Sequence, residues 1–188
     1  QDTAFRQSVE TTTNAVHLRL QGYLHTIEAM HGLFKASDAV SRTEFREAAR
    51  YWLMSLDSVQ ALGWATRVPM RDVPGFEAAQ RREGLPHYRV FDGVKRTAPQ
   101  GSEVVPLHFI ERQTQNQSAL GFNILSRPET RSTYERARDT DSMQATPGFR
   151  LIQEQGQQRG VVLYRPVYKG PTRTVAERRS HIVGTLFL

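Results

Sequence analysis

Residues 145–168 restrict the fold of this chain more than any other stretch. They read Ala-Thr-Pro-Gly-Phe-Arg-Leu-Ile, then a polar connector from Gln153 to Arg159, then Gly-Val-Val-Leu-Tyr-Arg-Pro-Val-Tyr. Ala145, Phe149 and Leu151 share one face of the first run, and Thr146, Arg150 and Ile152 share the other. Two period-two runs around a polar, glycine-flanked connector predict an antiparallel hairpin. Pro166 has no N–H to give to a ladder, so the second strand is expected to be paired on one side only at that point.

The other strong pattern is helical. From Asp2 to Ala36 there is no proline. Phe5, Val9, Thr12, Val16, Leu20, Leu24 (with Tyr23 beside it), Ile27, Met30 and Phe34 recur in steps of three and four. That spacing predicts one long helix with a single stripe. Its polar, threonine-rich first half suits a self-association seam or a helix lying along the domain. After a polar break, Ser41-Arg-Thr-Glu44 has the spacing of a capping box, and Phe45, Ala49, Trp52 and Leu53 follow at helical intervals.

The remainder alternates short strands and helices. Val59 to Val68 predicts a strand whose bulky face (Leu62, Trp64, Thr66) backs a small one (Ala61, Gly63, Ala65). The small face leaves room for a cavity or for a closely packed helix. A short helix over Gly75–Gly84, a strand at Tyr88–Phe91 and a strand over Glu103–Arg112 interrupted at Pro106 come next. A helix over Glu129–Thr140, a polar turn or short helix at Val175–Ser180 and a last strand from Ile182 complete the reading. Strands interleaved with helices indicate an α+β architecture.

Composition narrows the chemistry. The formal charge is +6, yet Lys35, Lys95 and Lys169 are the only lysines and the arginines are spread along the whole chain. Nucleic-acid binders cluster their basic residues beside exposed aromatics, so no nucleic-acid partner is expected. With no cysteine there is no disulfide or thiolate chemistry. No apolar run approaches the length of a membrane span. No two histidines lie four apart on a helix, and hydrolase, zinc-protease and phosphate-loop motifs are absent. No metal, cofactor or catalytic residue is therefore expected, and an enzyme would need a site of unrecognised form. Gln1 is not an initiator methionine and the apolar run at Leu188 stops in mid-element, as expected of a segment taken from between two membrane spans.

The order of short landmarks carries a resemblance. Gly63-Trp-Ala-Thr-Arg-Val68, the helix ending at Gly84, Ile110-Glu111, Asn116, Leu120-Gly-Phe-Asn123, Ala137-Arg-Asp-Thr140, Phe149-Arg-Leu151, Pro166-Val-Tyr168 and Gly184-Thr-Leu-Phe follow one another. The series resembles the CHASE domain, the extracytoplasmic sensor module of plant cytokinin receptors and of many bacterial histidine kinases and diguanylate cyclases. Arg112 stands where family members usually carry proline, and Asn123 where they usually carry aspartate.

The resemblance implies a long N-terminal helix followed by tandem PAS-like antiparallel sheets, membrane-distal and membrane-proximal. Mapped here, residues 1–36 form the helix, 37–168 the membrane-distal ligand-binding unit, and 169–188 the start of the membrane-proximal unit and the exit strand. It also implies a periplasmic domain of an inner-membrane receptor, flanked by transmembrane helices and dimerising through the long helix. A small-molecule ligand would lie against the sheet, in a pocket with the central hairpin as its floor. Phe109, Phe122, Asn123, Thr140, Ala145, Phe149, Leu151, Leu163 and Tyr164 form the expected neighbourhood. Phe149 and Tyr164 offer flat walls to a planar molecule such as an adenine derivative, and Asn123 and Thr140 offer hydrogen bonds. Leu163 and Tyr164 point to opposite faces of their strand, so at most one of them is expected to line the pocket. The same fold without a ligand, serving interaction or dimerisation, is the alternative.

Overall fold

The stripe at the start of the chain becomes one helix. The computed structural model describes residues 2–54, 56, 58–152 and 159–188. In it α1 spans Asp2–Ala36 and is about 50 Å long at 1.5 Å per residue. Its stripe divides in two. Ile27, Met30 and Phe34 are buried, whereas Val9, Val16 and Leu20 are 47%, 53% and 53% exposed. The side chain of Phe5 and the connector residues 153–158 lie outside the described residues.

The predicted capping box starts the second helix, α2 (Arg42–Leu53). The Glu44 N–H donates to Ser41 Oγ (3.2 Å) and the Ser41 N–H donates to Glu44 Oε2 (2.8 Å). Two of the donors that a helix start leaves open are thereby satisfied, and the bonds from Ser41 hold the Glu44 carboxyl below its ordinary pKa. Phe45, Ala49 and Leu53 form the buried stripe.

Next come β1 (Leu62–Thr66), β2 (Val68–Pro69), α3 (Val73–Arg82), β3 (Glu103–Val104), β4 (Leu107–Glu111) and α4 (Gln113–Asn116). They are followed by α5 (Pro128–Thr140), β5 (Gln144–Ala145), β6 (Leu163–Tyr168), α6 (Val175–His181) and β7 (Ile182–Phe187). Five strands make one antiparallel sheet in the order β4-β1-β7-β6-β5, and β2 and β3 form a separate ribbon. The architecture is α+β with a long N-terminal helix, as the sequence indicates.

Several boundaries move, each for a local reason. The Val59–Val68 run splits after Thr66: the Arg67 N–H still bonds the Val183 carbonyl of β7 (2.9 Å), and Val68 then leaves the large sheet to pair with Val104 in the ribbon. Glu103–Arg112 splits at Pro106, which has no N–H, and the β1–β4 register shifts between Trp64 and Ala65. Tyr88–Phe91 is not a strand: its pairing is reduced to the isolated bridge of Phe91 with Phe122. Residues 169–188 do not begin a separate unit. They supply β7, which sits inside the large sheet between β1 and β6.

The central hairpin forms, with a short first strand. Gln144 and Ala145 pair with Tyr164 and Leu163, the Thr146 N–H donates to the Val162 carbonyl (2.9 Å), and Phe149 pairs with Gly160. Pro147 and Gly148 interrupt the ladder between these contacts. Among the described residues the one strand partner of Pro166 is Thr185 on β7, so the missing N–H faces the side where β5 has ended.

Each face of the sheet has its own core. Leu62, Trp64, Phe109, Val167 and Leu186 pack against Ile27, Met30, Phe34, Phe45 and Ala49 of α1 and α2. Phe34 lies 4.3 Å from Trp64, and Phe45 lies 5.4 Å from Phe109, between ring centroids. On the opposite face Ala65, Ile110, Tyr164, Tyr168 and Phe187 meet Phe122, Ile124, Tyr134 and Ala137. The Phe187 ring lies across Gly63, where an added Cβ would fall 2.0 Å from its Cζ.

Candidate functional site

A cavity of about 420 Å³ opens at the end of the sheet where β1 and β6 begin and β7 ends. Its floor is the strand ends: Ala61, Ile110, Leu163, Tyr164, Phe187 and Leu188. Phe122, Ile124 and Thr130 form one wall, and the hairpin supplies Phe149, Leu151, Ile152 and Gly160–Val162. Leu20 and Tyr23 bring α1 itself to the rim. The volume falls in the range of small-molecule sites, which are mostly apolar with a few placed polar groups.

The hairpin shapes this wall through Gly160. A Cβ there would lie 2.7 Å from Leu151 Cδ1, so the glycine lets Leu151 fold across the opposing strand. Phe149 is held from outside by Arg127, whose guanidinium sits 4.9 Å from the ring centroid and donates to the Arg150 carbonyl (2.9 Å). Arg127 also pairs with Glu129. Within the cavity Tyr164 is 2% exposed, and burial pushes its hydroxyl pKa up. It stays a neutral donor and acceptor. Thr130 Oγ1 lies 2.5 Å from the Ile124 carbonyl and 3.2 Å from that of Arg127, so its proton is already committed to the backbone.

The structure brings Phe122, Phe149, Leu151, Leu163 and Tyr164 together on this cavity and leaves the other expected residues elsewhere. Phe109 is on the helix-covered face, against Phe45 and beneath Arg42. Thr140 is exposed at the end of α5, its hydroxyl donating to the Arg136 carbonyl (2.7 Å). Ala145 is exposed and paired with Leu163. Asn123 is buried, and its side chain is consumed by the scaffold. Oδ1 accepts from the N–H groups of Val105 (2.9 Å) and Leu125 (3.2 Å), and Nδ2 donates to Asp92 Oδ1 (2.8 Å).

Those contacts account for the departure at this position. An aspartate would present a second carboxylate to Asp92, whereas the amide both accepts and donates. Arg112, the other departure, adopts a left-handed backbone (φ 61°). Its guanidinium donates to the carbonyls of Leu53 (3.3 Å), Leu56 (3.0 Å) and Val59. It thus ties the end of β4 to the turn that follows α2.

The expectation that at most one of Leu163 and Tyr164 reaches the pocket fails. The cavity lies at the start of β6 and curls around the end of the sheet, so residues of both faces line it. Leu20, Tyr23, Val59, Ile110 and Phe187 line it as well, outside the expected neighbourhood. Ala61 had been signalled by the small face of its strand, but no local pattern marks where α1 passes the sheet.

Among the described residues no group of three or more His, Asp or Glu is placed to hold a metal ion. No helix among them is long and apolar enough to cross a membrane. The two aspartates at the end of α5 are tied separately: Asp139 to Arg138 (2.7 Å) and Arg179 (2.6 Å), and Asp141 to Arg165 (3.2 Å). Hydrogen bonds from Arg179, supported by Arg138, hold the Asp139 carboxyl far below the carboxylate range. It is an ion-pair anchor, unsuited to proton transfer near neutrality.

No curated protein matches the chain. A family model, the CHASE domain, matches residues 38–188, which takes in α2, every strand and the whole cavity except Leu20 and Tyr23. The chain therefore belongs to the CHASE domain family, the extracytoplasmic sensor module of signalling receptors.

Proposed function

We propose that this domain binds a small molecule in the cavity at the sheet end and reports its presence through α1. The observation that carries the reading is the shared wall: the hairpin residues Phe149 and Leu151 and the helix residues Leu20 and Tyr23 border one space. A ligand there touches the sheet and the helix together. It shifts the balance between two arrangements of these elements only by binding one better than the other. A second link supports the coupling. Arg165, two residues beyond Leu163, donates to Glu28 of α1 (2.7 Å) and to Asp141 (3.2 Å).

In the receptor this domain is periplasmic, held between two transmembrane helices of an inner-membrane protein. Its output is a histidine kinase or a diguanylate cyclase or phosphodiesterase. The exposed Val9 and Val16, seven residues apart on α1, support a symmetric homodimer through that helix, since apolar residues at heptad spacing make a seam. The same residues favour a second reading, in which the domain dimerises without any ligand.

Thermal unfolding of the purified domain with purines, amino acids and small carboxylates tests the first reading, alongside an environment-sensitive apolar dye. A ligand at a hundred times its Kd adds about 2.7 kcal/mol, which raises Tm by roughly 5–10 °C for a chain of this size. Ala61→Trp, which fills the cavity, is expected to abolish both the shift and dye binding. A wild-type domain that binds neither dye nor any compound class would leave the dimerisation reading in its place.

A further inference from the structure

Apart from Thr130 and Tyr164, the polar side chains of the cavity lie on its exposed side. Its interior is walled by Ile110, Phe122, Ile124, Tyr164 and Phe187. Ser58, Gln60 and Arg159, in contrast, are all exposed, at the mouth. Arg159 is the only charged residue on the described lining. A purine fits this distribution badly. Its ring nitrogens and amino group each need a partner, and Thr130 is already bonded to the backbone. A buried polar atom left unpaired costs about 1–3 kcal/mol.

We propose that the cavity takes an amphiphilic carboxylate of medium chain length, its aliphatic tail inside and its anionic head at the mouth beside Arg159. The inference rests on the sensor reading above and names the ligand class of that same site. A methylene group fills about the volume of one water, ~30 Å³, so 420 Å³ holds a chain of ~10 carbons with space to spare. The fork of a guanidinium matches the two oxygens of a carboxylate, and no described acidic residue on the lining opposes it. Because the rim includes Leu20 and Tyr23, a molecule seated in this way also meets the long helix at the mouth.

Isothermal titration with decanoate, decanol and adenine tests this on the purified domain, its Arg159→Gln variant and its Ala61→Trp variant. Decanoate is expected to bind about threefold to tenfold more tightly than decanol, the size of a partly exposed charged contact. Arg159→Gln should bring decanoate down to the level of decanol while leaving decanol unchanged, and Ala61→Trp should remove both. Leu151→Trp, on the half-buried hairpin, serves if Ala61→Trp does not fold. Equal affinities for decanoate and decanol, an unaltered Arg159→Gln, or a preference for adenine would overturn the carboxylate while leaving the cavity reading intact. Failure of all three compounds together with the apolar dye would overturn both.

Discussion

Away from the cavity, one face of the five-stranded sheet is packed solid against two helices, whereas the other is hollow at one end, although the same strands build both. Toward α1 and α2, β1 and its neighbours present Leu62, Trp64, Phe109, Val167 and Leu186. Toward the hairpin β1 presents Gly63 and Ala65, continuing the small side chain of Ala61. Small side chains leave volume above the sheet, and its fate depends on what crosses it. Phe187 fills the space over Gly63, while Ala61 borders the cavity. The contrast teaches that a binding hollow here is made by the size pattern of one strand and by where a neighbouring aromatic reaches.

Substitutions on the two faces should therefore behave differently. Phe45→Ala, on the solid face, is expected to cost about 3–5 kcal/mol with ligand affinity per folded molecule unchanged, read by chemical denaturation and titration. Altered affinity would show that the faces are not independent.

A pH effect follows at the rim of the solid face. The His108 Nδ1 meets Thr66 Oγ1 (2.7 Å), while its buried Nε2 has no partner. Burial, with Arg42 nearby, pushes the imidazole pKa from 6.5 down to about 3. The unfolded chain then takes up a proton that the folded one refuses. Stability is full above pH 6.5 and falls with pH between 6.5 and 3, by up to about 1.4 kcal/mol per pH unit. Denaturation at pH 6.5 and 5 should show a loss of roughly 1–2 kcal/mol from this group, largely removed in His108→Gln. An equal slope in the variant would assign the effect elsewhere.

Asn123→Asp separates scaffold from cavity on the hollow face. It should cost about 1–2 kcal/mol at neutral pH by losing the donor to Asp92, with little effect on cavity binding. A larger change in affinity than in stability would bring Asn123 back into the site. Phe149→Ala is expected to have the smallest effect on stability, about 1 kcal/mol, because the residue lies on a two-bond bridge at the edge of the hairpin. It should nevertheless weaken ligand binding more than any of the others. A cost as large as that of Phe45→Ala would mean that the hollow face is packed after all.

The elements with strong local signals were legible. The α1 stripe, the Ser41–Glu44 capping box, the small face of β1 and the Phe149–Tyr164 hairpin all follow from period, cap chemistry or residue size. The cavity-lining residues on the hairpin were readable for the same reason. What escaped depends on long-range pairing. The position of β7 between β1 and β6 is set by contacts far apart in sequence, so 169–188 looked like the start of something new. Asn123 carries the polarity of a ligand contact. Only the placement of Asp92, Val105 and Leu125 around it reveals that it braces the loop. Leu20 and Tyr23 reach the cavity because α1 crosses the sheet end, which no window of sequence contains.

The place of β7 has a kinetic consequence. Gly63 pairs with Phe187, more than a hundred residues later, so the middle of the sheet is completed by the last of its strands. Until that strand arrives, β1 and β6 each expose an unpaired edge, and such non-local closure is slow. During synthesis the half-built sheet is open to stray partners, and the domain has neither its binding hollow nor its mechanical continuity until the final strand slots home.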